Sequence, residues 1–467
     1  MSSFSTGLYG STICSIVNNV NDAFSGKTSG IDVSSVVSEL MQVERQPEVQ
    51  LQNQQTTINS QVTALTSISS QLTTLYNAVN SLKDFDGAFS QNTTGSSDSA
   101  IVSATADSTA AAGTHSITVS NLATTSSSYS GYIASGTSLG GAQIVINYGS
   151  DPGKPLKTDT INIPSADKTL QQAAGYINSG SYGVTASVLT DSQGSRLVLV
   201  SNTSGGNGNL NVSSSAASFT TTSGVDAKLT VDGVPVDSSS NTVTGAIAGV
   251  TLSLGAADAD NSVLISVQPD TTTASQAIQT FVDAYNAVIG SINQQYTLDS
   301  SGSEGVLAGD SMLRSLQSSL LSMVSGTASG AGQYVNLQSM GIEMQNDGTL
   351  QINSANLSQA LSSNFSDVQN FFQSTSGWGR AAGTQMLQLT DPTLGPVAAD
   401  ISGLNQTSQG LTDQINDFEL RMSAVQDQLT TQYSNLDALL QQYPMQLQQV
   451  AAQLGSLPSS SSSSSSS

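Results

Sequence analysis

Apolar residues return at every seventh position in two stretches that lie near the ends of the chain. The first contains Leu51, Ile58, Leu65, Leu72 and Val79, with Ile68, Leu75 and Leu82 three residues further on. The second contains Ile415, Met422, Leu429, Leu436, Tyr443, Val450 and Leu457, with companions at Leu411, Phe418, Val425 and Leu439. A period of seven predicts a coiled-coil seam rather than a generic amphipathic helix. The flanking positions are Gln, Thr, Ser and Asn instead of Glu and Lys, so charge pairs do not set the register, and connectivity within the chain is expected to pair 51–79 with 411–440. Before the first stripe, Asp32 is placed to cap a short helix in which Val33, Val36, Val37, Leu40 and Met41 share a face. Pro47 is expected to separate that helix from the heptads. In the second stripe, Pro444 predicts a kink or break near 440–444, because a mid-helix proline costs about 3 kcal/mol or more.

Between the stripes the pattern changes from period seven to period two. Short alternating runs (Ile117 and Val119; Ile144 and Ile146; Ile161 and Ile163) predict strands, and a helix-like stretch follows at 170–177. Strands are then expected at 184–188 and 197–200, joined by a hairpin turn at 191–194. A second set spans 228–267, where Asp232-Gly233 is a type I′ hairpin signal. Helical periodicity resumes at 274 with Ile278, Phe281, Tyr285, Val288 and Ile292, and Thr273 with Gln276 reads as its capping box. Asp310 is placed to cap a helix carrying Leu313, Leu316, Leu320 and Val324, with Gly326 past its end. Ile342 and Met344, Asp347-Gly348, and Leu350 and Ile352 predict a hairpin, and 366–372 a helix. Trp378, the only tryptophan, reads as a loop residue folded onto the local core, with an interface anchor as the alternative. The fold class is therefore α+β and multidomain: a terminal coiled coil or helical stem with inserted β-rich head domains.

Composition narrows the function. At 467 residues the chain has room for about three domains at roughly 150 residues each. Acids outnumber bases 33 to 11, a net charge of −22. That balance argues against nucleic acid and against anionic membrane surfaces, and no run reaches the length needed to span a bilayer, so no membrane insertion is expected. No basic, apolar leader is visible in the first 26 residues, so the chain is expected either to stay in the cytoplasm or to leave by a route without a cleaved signal.

Chemistry is sparse. One cysteine (Cys14) and one histidine (His115) leave no disulfide, no thiolate cluster and no partnered histidine pair. His115 reads as a polar residue on a strand edge. Asp258, Asp260 and Asn261 resemble part of a calcium loop, but the spacing lacks the glycine and the bidentate glutamate, so an acidic turn is expected. No phosphate-binding glycine loop or nucleophile elbow is present. The chain is read as a non-enzyme, with no catalytic, metal or cofactor-binding residues and no cofactors.

An ordered set of short motifs resembles one family. These are Gly30-Ile31-Asp32-Val33 with Val37, Leu40-Met41, Glu44 and Pro47; Asp232-Gly233-Val234; Asn241-Thr242-Val243; Gly249-Val250-Thr251-Leu252; Phe281-Val282-Asp283-Ala284-Tyr285-Asn286; Leu307-Ala308-Gly309-Asp310-Ser311; Met340-Gly341-Ile342; and Asp347-Gly348-Thr349-Leu350. Together they resemble the bacterial flagellar filament-capping proteins, the hook-associated protein 2 family, over nearly the whole chain. The resemblance implies a structural cap at the filament tip that promotes flagellin polymerisation, prevents loss of exported monomers and is needed for filament elongation and motility. Implied partners are flagellin, further copies of the chain in a homo-oligomeric ring, hook–filament junction proteins and an export chaperone of the flagellar type III system. The implied location is extracellular, at the filament tip, reached by that export route. The poly-Ser run after Pro458 and the proline at 444 depart from the family pattern.

With that resemblance the expected layout is as follows. Residues 1–47 and 441–467 form flexible, filament-contacting ends. Residues 48–85 and 274–440 form the helical stem with a small hairpin, 86–130 with 226–273 a β-rich head, and 131–225 a second, inserted head. The assembly seam is expected at Leu51, Ile58, Leu65, Leu72, Val79, Ile415, Met422, Leu429 and Leu436. The filament-contacting terminus is expected at Val33, Val37, Leu40, Met41, Leu447, Val450 and Leu454. The alternative is a surface adhesin that binds host mucin or glycans through the β-rich head.

Overall fold

The computed structural model describes residues 32–133, 139–151, 153–167, 169–298, 302–328 and 332–455. Residues 1–31, with Cys14, and the serine run from 459 lie outside the described residues. In chain order the elements begin with α1 (Val33–Glu44), α2 (Gln46–Lys83), β1 (Asn92–Ser96), β2 (Val102–Ala106), β3 (Gly113–Asn121), β4 (Thr125–Ser130), β5 (Gln143–Tyr148) and β6 (Lys157–Asn162). Then follow α3 (Leu170–Ser179), β7 (Val184–Asp191), β8 (Gly194–Ser204), β9 (Leu210–Ser214), β10 (Phe219–Thr222), β11 (Ala227–Val231), β12 (Val234–Ser238), β13 (Thr242–Ile247), β14 (Val250–Leu254) and β15 (Asp258–Pro269). The chain returns to helix with α4 (Thr271–Tyr296), α5 (Ser311–Val324), β16 (Ile342–Met344), β17 (Leu350–Ile352), α6 (Ser354–Ser363), α7 (Phe365–Gln373), α8 (Trp378–Leu389) and α9 (Pro396–Gly455).

The leg is built around α2, a 38-residue helix that carries few charges. Its many Ser and Thr side chains compete for backbone groups, and here they do so harmlessly. Thr56, Thr57, Ser60, Thr63, Thr66, Ser70, Thr73 and Thr74 each donate to the carbonyl one turn back. Helix formation therefore rests on packing of the apolar stripe rather than on propensity. Leu65, Ile68, Leu72, Leu75, Val79 and Leu82 are fully covered, chiefly by α4 (Ile278, Phe281, Tyr285, Val288, Ile292) and by α8. Gly383 of α8 faces the Lys83 methylenes and Val79 of α2. Leu51 and Ile58, in the other half, are only half-buried against α9.

The two heptad stretches do pack, but not in the expected register. Gln55 Nε2 donates to Thr412 Oγ1 at 2.6 Å, and Ser408 Oγ donates to Asn59 Oδ1 at 3.1 Å, which fixes an antiparallel pair. In this register Leu65 and Leu72 lie opposite the first turns of α9, not opposite 411–440. The stretch that begins at Phe418 is covered by α1 instead: Val37 and Met41 meet Phe418 and Met422, with Val33, Val425, Leu429 and Tyr433 at the edge. A period of seven is satisfied by any apolar neighbour, and α4, α8 and α1 bury more of it than the second heptad stretch could alone. Helix α9 also continues through Pro444 to Gly455 without the expected break. Tyr443 and Met445 beside it are exposed, so the carbonyl of Leu440 that loses its amide partner can take a water hydrogen bond.

Two other local expectations are corrected. Helix α4 starts at Thr271, not 274, because Asp270 outcompetes Thr273 as cap: its Oδ1 accepts from the Thr272 and Thr273 amides and its Oδ2 from the Thr273 hydroxyl. Trp378 opens α8 rather than lying in a loop. Its ring is buried, and its Nε1 donates to the Met323 carbonyl at 2.7 Å. It stacks on Phe371 at 5.8 Å and meets Phe281 edge-on at 5.4 Å. Phe89, in the short turn Ala88–Ser90 that leads into β1, stacks on Phe372 at 5.0 Å. This aromatic cluster joins leg to head.

The first head pairs a five-stranded antiparallel sheet, β1-β15-β3-β11-β12, with the three-stranded sheet β13-β14-β2 over a shared core. The type I′ turn is present at Asp232-Gly233, with φ of 53° and 82°. The second head combines the sheet β10-β4-β8-β7, the sheet β6-β5-β9 and α3. Strand β4 belongs to it, so the crossover lies near Thr124 rather than at 131. Asn241 fixes that crossover by holding both the N–H and the carbonyl of Ala123 at 2.7 and 2.9 Å. Next to it, Gly205 (φ 74°) donates to the Thr124 carbonyl, and Thr124 to that of Val225. Ser126, Ser128 and Ser130 of β4 point inward and are fully buried, each hydrogen-bonded to backbone.

Two stability measurements check this packing. Leu65→Asp places an uncompensated charge in the leg core and is expected to lower the unfolding free energy by about 3 kcal/mol or more in a urea melt, whereas Ile58→Asp, at the half-buried end, costs less than half as much. Phe281→Ala removes the ring between α2 and Trp378 and is expected to cost about 3–5 kcal/mol in the same assay.

Candidate assembly surfaces

The expected seam residues fall into three environments. Leu65, Leu72 and Val79 are inside the leg core and touch no outside surface. Leu51, Ile58 and Ile415 are half-buried along the α2–α9 contact. Met422 is buried under α1, Leu429 sits at the edge of that contact, and Leu436 is open to solvent. The seam is therefore mostly internal, and only its α9 end can reach another chain.

The expected terminal contact residues also divide. Val37 and Met41 are buried against α9, and Val33 and Leu40 are half-buried. Asp32 caps α1 through the Ser35 amide at 3.1 Å, and Pro47 sits in the first turn of α2, where its missing N–H costs nothing. Arg45, between the two helices, is fixed by Glu48 at 2.8 Å. An open groove between α1 and α9 is lined by Val33, Val37, Met41, Arg45, Gln426 and Thr430. Val450 is half exposed on the outer part of α9. Leu447 and Leu454 lie on the same helix, but their side chains fall outside the described residues.

Past Tyr433, α9 meets no partner helix among the described residues. Leu439 (55% exposed), Tyr443 (62%) and Val450 (50%) follow Leu436 on it. Seven-residue spacing puts Leu436, Tyr443 and Val450 on one face, with Leu439 one turn along from Leu436. Asp413, Asp417, Glu419, Asp427 and Asp437 against Arg421 make the helix acidic. An exposed apolar stripe of this kind can dock through side-chain burial.

Chemistry elsewhere is structural. His115 Nδ1 lies 2.8 Å from Asp232 Oδ2, and Asp232 Oδ1 accepts from the Ser116 amide. These two bonds hold the Asp232 carboxyl below the usual carboxylate range and tie β3 to the β11–β12 turn. No sequence signal marks this pairing, because His115 lies on β3 and Asp232 in the β11–β12 turn, far apart along the chain. The acidic motif at Asp258 is a bulge in which its Oδ1 accepts from the Asp260 and Asn261 amides. Asn286 of α4 donates to the Leu350 carbonyl at 2.8 Å and accepts from its amide at 2.7 Å, so this motif residue anchors the β16–β17 hairpin. At the far head, the Arg196 guanidinium lies over Tyr132 at 3.5 Å, and Tyr132 donates to Asp191. Among the described residues no group of three or more His, Cys, Asp or Glu is placed to hold a metal, and no helix is long and apolar enough to cross a membrane.

Similarity to known proteins follows the same division into ends and middle. Residues 29–126 match the family described as flagellar hook-associated protein 2 N-terminus, and 224–444 the one described as flagellar hook-associated protein 2 C-terminus. The chain is 30% identical to the flagellar hook-associated protein 2 of Escherichia coli (strain K12), over 89% of this chain and 94% of that protein. It is 28% identical to the B-type flagellar hook-associated protein 2 of Pseudomonas aeruginosa, over 91% of this chain and 96% of the relative. The crystal structure of the D1-D2-D3 domains of the flagellar cap protein FliD from Escherichia coli superposes with a TM-score of 0.60 at 28% identity, covering 73% of this chain and 99% of that one. The adhesin alternative finds no support among these relatives. A helical leg built from both ends of the chain, two nested β heads and this shared sequence place the protein in the flagellar hook-associated protein 2 family.

Proposed function

We propose that this chain is a structural cap at the tip of the flagellar filament, where it retains exported flagellin and promotes its polymerisation without catalysis. The observation that carries the reading is the apolar stripe on α9 beyond Tyr433, which no helix covers among the described residues. A cap must hold on while subunits add beneath it. Leu436, Leu439, Tyr443 and Val450 provide a contact of that kind, since each side chain is worth roughly 1.5–3 kcal/mol on full burial. That is strong enough to hold in several copies and weak enough for one copy to release. The groove at Val33, Val37 and Met41 extends the same surface. Several copies acting as a homo-oligomeric ring supply the avidity. Flagellin is the ligand of this surface, and the hook–filament junction proteins and a type III export chaperone are the other partners. The protein acts outside the cell after export by the flagellar route. The heads, held to the leg through Phe89 and to each other through Asn241, form the outer platform.

A combined Leu439→Asp, Tyr443→Asp and Val450→Asp variant tests this reading. All three side chains are exposed, so the melting temperature of the purified chain is expected to stay within about 2 °C of the parent. Expressed in a strain lacking the native protein, the variant is expected to leave hooks without filaments and flagellin unpolymerised in the medium. Filaments of normal length by electron microscopy would remove the α9 stripe from the mechanism. If a strain lacking the whole chain also made normal filaments, the cap reading itself would fail.

A further inference from the structure

The link between β8 and β9 lies at the crossover between the two heads, and it carries an Asn-Gly pair that the assembly role leaves unexplained. Gly206–Gly208 form one short helical turn. The turn is tied on both sides. Gly205 donates to the Thr124 carbonyl at 2.9 Å, and the Gly206 amide donates to Asp226 Oδ1 at 2.7 Å. Ser150 Oγ donates to the Gly206 carbonyl at 3.0 Å, and Asn209 Oδ1 accepts from the Gly224 amide at 2.7 Å. Asn207 is the exception. It is exposed, and among the described residues no hydrogen bond holds its side-chain amide. Asparagines at other joints use both ends of the amide: Asn178 holds Ala186, Asn241 holds Ala123 and Asn286 holds Leu350. The Asp-Gly pairs are a further contrast. The Asp232 carboxyl is held by His115 and Ser116, and Asp347 Oδ1 accepts from the Thr349 amide and hydroxyl at 3.0 and 2.6 Å. Asp86 is exposed and not held in this way, but an ionised carboxylate is a poor electrophile with no leaving group comparable to ammonia.

We propose that Asn207-Gly208 is a deamidation site, and that its conversion loosens the crossover between the heads. The Gly208 amide nitrogen attacks Asn207 Cγ. A C–N bond forms and closes a five-membered imide, the Cγ–Nδ2 bond breaks, and the proton lost by the Gly208 amide leaves with Nδ2 as ammonia. Solvent water then opens the imide at either carbonyl. The products at position 207 are an aspartate or an isoaspartate, in which the main chain runs through Cγ. Glycine favours the attack, because no side chain screens its nitrogen. One bond opposes it, from the Gly208 N–H to the Gly205 carbonyl at 3.1 Å. Hydrogen bonds in so short a turn have poor geometry, and opening this one lets the nitrogen approach Cγ to the roughly 3–3.5 Å that the attack requires.

The crossover has no room for the product. A Cβ on Gly208 would lie 1.8 Å from the Thr203 carbonyl oxygen, so the turn is packed directly on the backbone of β8. An isoaspartate lengthens the main chain by one atom just before this contact and forces the turn off β8. Either product also places a negative charge beside Gly206, whose amide holds the Asp226 carboxylate, and like charges at this distance weaken that bond. Gly205 and Gly206 carry the ties to Thr124 and Asp226, so displacing the turn releases both.

The test ages the full-length protein at pH 7.5 and 8.5 and follows every Asn-Gly and Asp-Gly pair by peptide mass spectrometry, with isoaspartate scored by an isoaspartate-specific methyltransferase. Asn207 is expected to convert at least about tenfold faster than Asp86, Asp232 or Asp347. Its conversion is expected to be about tenfold faster at the higher pH, because the attacking nitrogen must lose its proton. Asn207→Gln, which would have to close a six-membered ring, is expected to stay intact. Hydrogen exchange in peptides covering 122–126 and 203–208 is expected to rise about tenfold in the aged parent and to keep its fresh value in the aged Asn207→Gln variant. If Asn207 stays intact in the folded protein over a period in which the same chain converts in urea, the turn shields it and the site is lost. Conversion of Asn207 with unchanged exchange in both peptides would overturn the loosening.

Discussion

One side of α2 carries the whole leg. Leu65 through Leu82 lose all contact with solvent, and they do so on a helix whose other faces are Ser, Thr and Gln. A helix of that composition is marginal alone, and burial of its stripe makes it persist. The leg core gathers around this stripe, with α4 and α8 packed on it and the aromatic cluster joined through Phe281. The first stretch of α9 then closes the remaining side, through polar contacts at Gln55 and Asn59.

The heads depend on the leg through short, well-defined junctions. Phe89 enters the aromatic cluster just before the first strand begins, and Asp270 caps α4 immediately after the last strand ends. Both chain crossings are therefore fixed at the same end of the leg. The second head repeats this solution one level out, with Asn241, Thr124 and Gly205 tying its crossings together. A load on the outer head can reach the leg through these ladders and side-chain clamps without passing through a long linker.

The contrast between the two ends of α9 gives the molecule its direction. Its first part is enclosed by α2 and α5, its middle by α1, and its last part by nothing among the described residues. The apolar period does not change along the helix. What changes is the supply of neighbours, so the same stripe is core at one end and contact surface at the other.

Much of this architecture is local and was legible in the sequence. Asp32 and Asp310 cap helices because a short carboxylate before an apolar period satisfies free amides wherever it occurs. The turns at Asp191–Gly194, Asp232-Gly233 and Asp347-Gly348 form because those residues favour the required backbone angles. The two stripes marked which faces would be buried or would seek a partner. Only the tertiary structure decided what covers them. It put α4 and α8 over Leu65–Val79 and α1 over Met422, and among the described residues it left Tyr443 exposed. It gave β4 to the outer head, and it paired His115 with Asp232 from distant parts of the chain. The physical reason is that a period fixes the direction of an apolar face, whereas the identity of its neighbour depends on the burial available to every element at once.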